Sequence, residues 1–208
     1  MNDGLVHSFD GLASRIDAGG ARTVGFTGAL LGEGVSTIAI GTALALAALR
    51  PEKVLLVDAN WIHPSLSADA GLETAAGLAD HLAGKADLAS VIRPATRERL
   101  AFVPVGNRSI FRPTLRTVAA FLANGVPGVE TILVDLPPVL AGEAYVLPWA
   151  TLLDHVFVVV REAATPLPMV RLALSKIGLA TPQVVLNRTA GEDSELPKAL
   201  MAPHRARA

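Results

Sequence analysis

Cysteine is absent from the 208 residues, and both aromatic side chains and net charge are scarce. The absence of cysteine excludes a disulfide framework and thiolate metal sites. With 18 Lys and Arg against 19 Asp and Glu, the net charge is −1, which provides no electrostatic basis for binding nucleic acid. The longest mostly apolar stretch, residues 38–49, is too short to cross a bilayer. Because the N-terminus also lacks a basic stretch followed by an apolar one, we expect a cytoplasmic protein.

The chain is long enough, at 208 residues, and hydrophobic enough, at 51%, to form one well-buried α/β domain. Short β-branched runs alternate with helical patterns, which is typical of a parallel sheet covered by helices on both faces. Strands are predicted at residues 23–27, 54–58, 100–105, 131–135, 155–160 and 183–187. Helices are predicted at residues 36–50, 77–83, 114–123, 143–153 and 166–177. For the last helix, Thr165 is the expected N-cap and Gly178 the expected end.

A glycine-rich segment follows the first predicted strand directly. Residues 28–37 read GALLGEGVST and match the phosphate-binding pattern [AG]-x-x-x-x-G-K-[ST] at Ala29, Gly34 and Ser36. Val35 stands where the pattern has lysine. In such a loop, backbone N–H groups at a helix N-terminus surround phosphate oxygens, and the lysine reaches the β and γ phosphates. The segment therefore predicts a phosphate cradle without its cation, although an ordinary glycine turn before a core helix is the alternative.

Two other predicted strands each end in an aspartate. Residues 53–64 read KVLLVDANWIHP and contain Asp58, and residues 131–138 read TILVDLPP and contain Asp135. The carboxyl ends of parallel strands meet at the sheet edge where ligands bind in α/β folds. With the Ser36 hydroxyl, the two carboxylates form a candidate Mg²⁺ site, and Asp58 is also the candidate catalytic residue. A single strand-terminal aspartate is more often a turn residue, but two beside a phosphate loop favour a site.

In order and spacing, these motifs resemble those of the cytoplasmic P-loop domain of bacterial tyrosine kinases. That family is a branch of the deviant-Walker ATPases, which include cell-division and plasmid-partition ATPases. The resemblance covers about residues 22–188 and implies a P-loop NTPase fold, with a single doubly wound, mainly parallel sheet. The similar segments are residues 27–37, 54–64, 77–84, 104–106, 132–138 and 184–188.

The resemblance also implies a ligand, which is ATP or ADP with Mg²⁺. The implied metal ligands are Ser36, Asp58 and Asp135. For Asn187, the resemblance implies contact with adenine, while a simple turn residue is nearly as good an interpretation. The implied nucleotide-binding residues are Gly32, Glu33, Gly34, Val35, Ser36, Thr37 and Asn187.

Departures from the family pattern fall on residues that serve catalysis. Besides the missing loop lysine, Asn60 stands in place of an aspartate and Ile62 in place of an arginine. Leu30 occupies the position of the second lysine of partition ATPases. Residues 7–13 keep none of the charged residues of the kinases' ring-assembly motif, and Tyr145 is the single tyrosine, whereas the kinases have a tyrosine-rich tail. We therefore expect weak or no ATP hydrolysis and no tyrosine kinase activity.

The function implied is that of a degenerate kinase-like partner or regulator of a membrane polysaccharide copolymerase. It would act in exopolysaccharide synthesis and export, of the capsule or holdfast type, and be recruited to the inner membrane through that partner. The alternatives are an active ATPase or tyrosine autokinase, a positioning ATPase of the cell-division type, and a structural adaptor that binds no nucleotide. A homo-oligomer is left open.

The expected domain organisation is an N-terminal segment at residues 1–21, a P-loop domain at 22–190 and a flexible tail at 191–208. The first ~20 residues and those after ~190 are expected to be loose ends.

Four other side chains receive structural interpretations. Trp61 is interpreted as a packing or surface residue, with stacking on a base or a partner as the alternative. Trp149 is expected to anchor the helix at residues 143–153. His63 and His155 stand alone without the spacing of metal ligands.

Overall fold

Seven strands in the order β3-β4-β2-β5-β1-β6-β7 form one sheet. The computed structural model describes residues 3–178 and 183–187. All neighbouring strands run parallel except the pair β3 and β4, which is antiparallel. This confirms the predicted α/β fold with a mainly parallel sheet. The strands are β1 (Thr23–Gly28), β2 (Lys53–Asp58), β3 (Arg93–Pro94), β4 (Leu100–Val103), β5 (Val129–Asp135), β6 (His155–Arg161) and β7 (Gln183–Asn187).

Helices cover both faces of the sheet, which explains why the strands are apolar on both sides. In β2, Val54 and Leu56 pack on the face that carries α1 and α2, while Leu55 and Val57 pack on the face of α6, α7 and α8. The helices are α1 (Asp3–Ala18), α2 (Val35–Leu49), α3 (Ser65–Asp69), α4 (Leu78–Leu82), α5 (Leu88–Val91), α6 (Leu115–Asn124), α7 (Val139–Ala150) and α8 (Leu167–Ile177).

The predicted elements agree with the observed ones except where an element is very short or bent. The strand β3 and the helices α3 and α5 were not predicted, because they are too short for hydrophobic periodicity to show. The helix predicted at residues 143–153 begins earlier, at Val139, and bends at Gly142, where φ is −150° and ψ is 41°. As predicted, Gly178 ends α8 in the left-handed conformation.

The expectation of a loose N-terminal segment is wrong, because α1 packs along α2. Phe9, Ala13 and Ile16 are buried at helical spacing and belong to the core beneath α2. The Phe9 ring fills the space that a side chain at Gly41 would need, since a Cβ there would lie 2.5 Å from the ring. The apolar spacing of α1 is visible in the sequence and is the signal that predicts this packing. The tail at residues 191–208 lies outside the described residues.

In the part of the chain that the structure describes, no helix combines the length and the apolar character needed to cross a bilayer.

The contact between Phe9 and Gly41 makes a testable contribution to stability. Replacing Phe9 with Ala removes a ring that is 7% exposed and leaves a cavity against α2. We expect this substitution to lower the free energy of unfolding by about 3–5 kcal/mol in a urea titration. Ser14→Ala, on the exposed side of α1, is the control and is expected to change it by less than about 0.5 kcal/mol. Equal stability of the two variants would show that α1 is not part of the core.

Candidate functional site

Three chain segments meet at the carboxyl edge of the sheet, where β1, β5 and β2 are neighbours. Asp58 and Asp135 are directly paired in the register of β2 and β5. The hydroxyl of Thr27, at the end of β1, donates to the carbonyl oxygen of Pro137 at 2.7 Å. Parallel pairing therefore brings the glycine-rich loop and both aspartate motifs together, as the sequence predicts.

The glycine-rich loop between β1 and α2 has the backbone of a phosphate cradle. Gly32 and Gly34 have φ angles of 81° and 84°, in the left-handed region that favours glycine. No side chain caps α2, so its first N–H groups are left for another acceptor. The loop borders a cavity of about 310 Å³. Its lining residues are Leu30, Leu31, Gly32, Glu33, Gly34, Val35, Ser36, Thr37, Asn60, His63, Ser65, Leu136 and Pro138.

Glu33 is folded back under the loop, where its side chain is only 2% exposed. One carboxylate oxygen accepts from the backbone N–H of Leu30 at 2.9 Å, and the other accepts from the Thr165 hydroxyl at 2.5 Å. Gly28 permits this position, because a Cβ there would lie 2.3 Å from the carboxylate. The Asn187 side-chain amide donates to the backbone oxygen of Glu33 at 3.0 Å. Glu33 thus stabilises the shape of the loop from below.

These contacts correct one prediction and refine another. Thr165 does not cap α8, whose N-cap is Pro166 and has no side-chain cap. Its hydroxyl is instead oriented toward Glu33. Asn187 does lie at the loop, where its amide contacts the backbone, and its role toward adenine stays a prediction.

Ser36 connects the loop to the sheet. Its hydroxyl donates to Oδ2 of Asp135 at 2.7 Å and accepts from the hydroxyl of Ser65 at 2.8 Å. The second oxygen of Asp135, Oδ1, is buried without a hydrogen-bond partner. A buried carboxylate oxygen without a donor is unfavourable, and next to a hydroxyl it suits a hard cation such as Mg²⁺. Ser36 and Asp135 therefore fit the predicted metal site.

Asp58 is held differently from Asp135, because both of its oxygens already accept hydrogen bonds. Oδ1 accepts from the backbone N–H of Asn60 at 3.0 Å, and Oδ2 accepts from the N–H and the hydroxyl of Ser67 at 2.9 and 2.7 Å. The Ser67 hydroxyl in turn accepts from the N–H of Val105 at 2.9 Å. Asp58 thus joins β2 to α3 and to the end of β4. This geometry favours Asp135 over Asp58 as the direct metal ligand.

Burial perturbs both aspartates. It raises the pKa of Asp58 from 3.8 to about 6, although hydrogen bonds from Ser67 and Asn60 oppose the shift. Burial also raises the pKa of Asp135 well above its ordinary value, and repulsion from Asp58 adds to this, while the hydrogen bond from Ser36 opposes it. Two ionised carboxylates at this place are therefore unfavourable until a cation joins them.

The cavity lining contains no lysine and no arginine among the described residues. Val35 is 7% exposed and packs in the core beneath α2. The side-chain oxygen of Asn60 accepts from the N–H groups of Ile62 and His63 at 3.3 and 2.9 Å, so it stabilises the turn that follows β2. Ile62 packs against the bend at Gly142. Each residue at a substituted position thus has a structural contact of its own.

The tryptophans lie in the fold as structural residues. Trp61 is buried, donates from Nε1 to the carbonyl of Phe111 at 3.1 Å and stacks on Tyr145. Trp149 is fully buried and meets the ring of Phe121 edge-on, as expected of an anchor for α7.

Sequence reasoning missed three hydroxyls at the site. Ser65 bonds to Ser36, and Ser67 bonds to Asp58. Both follow the second motif within a few residues, so their nearness to Asp58 in the chain is a usable signal. Thr165 reaches Glu33 from a distant part of the chain, and no local pattern predicts this contact.

The buried Asp135 gives a pH dependence with a defined sign. Because its pKa is raised in the folded chain, its favourable contribution is complete below its ordinary pKa of 3.8 and is lost as the pH rises through the folded value. We expect Asp135→Asn to become progressively more stable than the unmodified chain as the pH rises above about 4. Urea unfolding without divalent metal measures this difference.

Asp154→Asn is the control with the opposite sign. Burial opposes ionisation of Asp154, but hydrogen bonds from Thr23 and Arg22 outweigh it and lower the pKa. This variant should therefore lose stability relative to the unmodified chain as the pH rises through the ordinary carboxyl range. Parallel pH profiles for the two variants would contradict the assignment for Asp135.

Comparison with known proteins agrees with this geometry. No family model matches the chain. The chain is 29% identical over 181 residues to the succinoglycan biosynthesis transport protein ExoP of Rhizobium meliloti, which covers 81% of this chain and 22% of that protein. The chain thus spans about a fifth of the length of this curated relative.

Solved structures with the same fold include a kinase domain and a partition protein. The VpsO kinase domain is 24% identical and superposes with a TM-score of 0.75, covering 89% of this chain and 93% of that one. A putative plasmid partition protein from Borrelia burgdorferi, bound to AMPPNP, is 17% identical with a TM-score of 0.65, covering 86% and 78%. The chain therefore has a P-loop NTPase fold, shared with the VpsO kinase domain and this partition protein, and it is similar in sequence to a polysaccharide transport protein.

Proposed function

We propose that this protein is a kinase-like P-loop protein that binds ADP or ATP with Mg²⁺ but turns it over weakly or not at all. We further propose that it acts as a partner or regulator of a membrane polysaccharide copolymerase in exopolysaccharide synthesis and export. The observation that carries the proposal is a phosphate loop with Ser36 and Asp135 in place and no lysine or arginine in the cavity lining of the described residues.

Retained binding is supported by groups that do not depend on the lysine. The loop and the start of α2 line the cavity, and no side chain caps the N-terminus of this helix, so its first N–H groups are available to a phosphate. Ser36 and Asp135 would hold Mg²⁺, which would neutralise phosphate charge when bound. A charge-assisted hydrogen bond contributes about 1.5–3 kcal/mol, so the missing lysine weakens binding by roughly 10- to 150-fold.

Weak turnover follows from the same absence. Phosphoryl transfer depends on positioning and on stabilisation of charge in the transition state. Removing one group that stabilises such charge costs roughly 10²–10³ in rate. Val35 and Asn60 cannot supply the missing stabilisation of transition-state charge, because Val35 is apolar and the side-chain oxygen of Asn60 accepts hydrogen bonds from the backbone.

The proposed cellular role is supported by the sequence similarity to the succinoglycan transport protein. We propose that a membrane-bound polysaccharide copolymerase recruits this protein to the inner membrane. The rival function is an active ATPase, which the fold shared with an AMPPNP-bound partition protein favours. Turnover measurements separate the two.

The biochemical prediction compares the unmodified protein with Val35→Lys. In titration calorimetry, both are expected to bind nucleotide only with Mg²⁺, and the lysine variant roughly 10- to 150-fold more tightly. Asp135→Ala removes the proposed metal ligand and should abolish the Mg²⁺-dependent binding. Neither protein is expected to accumulate phosphotyrosine, because the single tyrosine, Tyr145, packs against Trp61.

Two results would contradict this proposal. Hydrolysis by the unmodified protein at about 1 s⁻¹ or faster, the range of working kinases, would make it an active enzyme. A folded protein that binds no nucleotide at millimolar concentration would be a structural adaptor.

The cellular prediction concerns the secreted polysaccharide. Deleting the gene is expected to reduce the amount or the chain length of exopolysaccharide, and the unmodified gene should restore both. Asp135→Ala is expected to restore them incompletely if nucleotide binding matters for regulation. Unchanged polysaccharide after deletion would refute the assigned pathway while leaving the biochemical part intact.

A further inference from the structure

We infer that the cavity selects a nucleoside diphosphate over a nucleoside triphosphate. This inference rests on the proposed nucleotide binding and adds the chemical class of the ligand. It depends on how the donors and the charges are distributed along the cavity.

The donors are concentrated at the loop. The left-handed Gly32 and Gly34 turn the backbone around the cavity, and the start of α2 offers N–H groups that no side chain caps. In loops of this kind such groups surround a phosphate that lies at the helix N-terminus. Backbone donors contribute whatever residue stands at position 35, so the phosphate inside the loop keeps its partners.

The γ phosphate lacks the lysine that would normally bind it. The lysine of the pattern reaches the β and γ phosphates together, and its position here carries the apolar Val35. The γ phosphate therefore loses most of its direct neutralisation, whereas the β phosphate still has the backbone of the loop. The γ phosphate thus loses more favourable interaction than the β phosphate, which weakens binding of the triphosphate relative to the diphosphate.

The greater negative charge of the triphosphate increases this penalty. Glu33, Asp58 and Asp135 are all buried beside the cavity or beneath it, and the described lining contains no lysine or arginine. A triphosphate carries about one negative charge more than a diphosphate, while one Mg²⁺ supplies the same positive charge to either ligand. No lysine or arginine of the described lining compensates this additional charge.

His63 is the lining side chain that could change this balance. It is exposed at the cavity, and its backbone N–H is used by Asn60. If its imidazole held a terminal phosphate, the unmodified protein would favour the triphosphate. The His63→Gln variant, which keeps a polar side chain without the ability to carry charge, detects such a contribution.

The experiment measures affinities for MgADP and for Mg²⁺ with AMPPNP, a triphosphate analogue that is not hydrolysed, by titration calorimetry. The unmodified protein is expected to bind MgADP about tenfold more tightly. Val35→Lys should reverse or abolish this preference, because it restores the cation at the γ phosphate. Val35→Met is the matched control, since it has a long side chain without charge and should keep the preference for MgADP. His63→Gln should also keep it.

The outcomes separate this inference from the proposed function. Equal or tighter binding of AMPPNP by the unmodified protein overturns the inference and leaves nucleotide binding intact. A reversed preference in Val35→Met overturns it as well, because side-chain length rather than charge would then decide. Absence of binding for both nucleotides in the folded protein overturns the proposed nucleotide binding and the inference together. The comparison within the unmodified protein does not depend on the folding of any variant.

Discussion

The hydrogen bond from Ser36 to Asp135 is the interaction on which the arrangement of the site depends. It joins the first turn of α2 to the end of β5, and these two elements carry the phosphate loop and one of the paired carboxylates. Asp135 is fully buried, and Ser36 donates a hydrogen bond to its Oδ2, while Oδ1 is buried without a hydrogen-bond partner. The hydrogen bond that positions the loop and the carboxylate is thus present, whereas Oδ1 of Asp135 has no donor beside it among the described residues. A bound cation would compensate the charge of Asp135 at this unpartnered oxygen.

Much of this fold could be predicted because its information is local. The strand before each motif is a short apolar run, and Asp58 and Asp135 follow directly, so parallel pairing alone brings them together. The contacts that hold them could not be predicted in the same way. The hydroxyl of Ser67 beneath Asp58 depends on the short helix α3, and the contact of Thr165 with Glu33 joins residues more than a hundred positions apart. The packing of α1 is visible in the sequence as apolar periodicity around Phe9, although this segment lies near a chain end, where order is less expected.

The positions that depart from the kinase pattern are well integrated into the structure. The oxygen of Asn60 stabilises a turn, Ile62 packs against the bend in α7, and Val35 is buried under the loop. An aspartate at position 60 would add a further carboxylate near Asp58 and Asp135, where burial and then repulsion from Asp58 already raise the pKa of Asp135. The presence of Asn60 instead of an aspartate therefore agrees physically with the absence of the lysine, since a site without its lysine tolerates fewer negative charges.

The contacts beneath Glu33 have a kinetic and entropic consequence. Thr165 and Asn187 contact Glu33 from the two chain segments that follow β6 and α8. These contacts therefore hold the loop at Glu33, in addition to its connections to β1 and α2. A flexible glycine loop would have to become ordered when a ligand binds. Here the loop is already held in one conformation in the free chain. A ligand that enters such a loop loses little affinity to ordering and meets a surface of fixed shape. The cradle is therefore rigid at the place where glycine would otherwise make it most mobile.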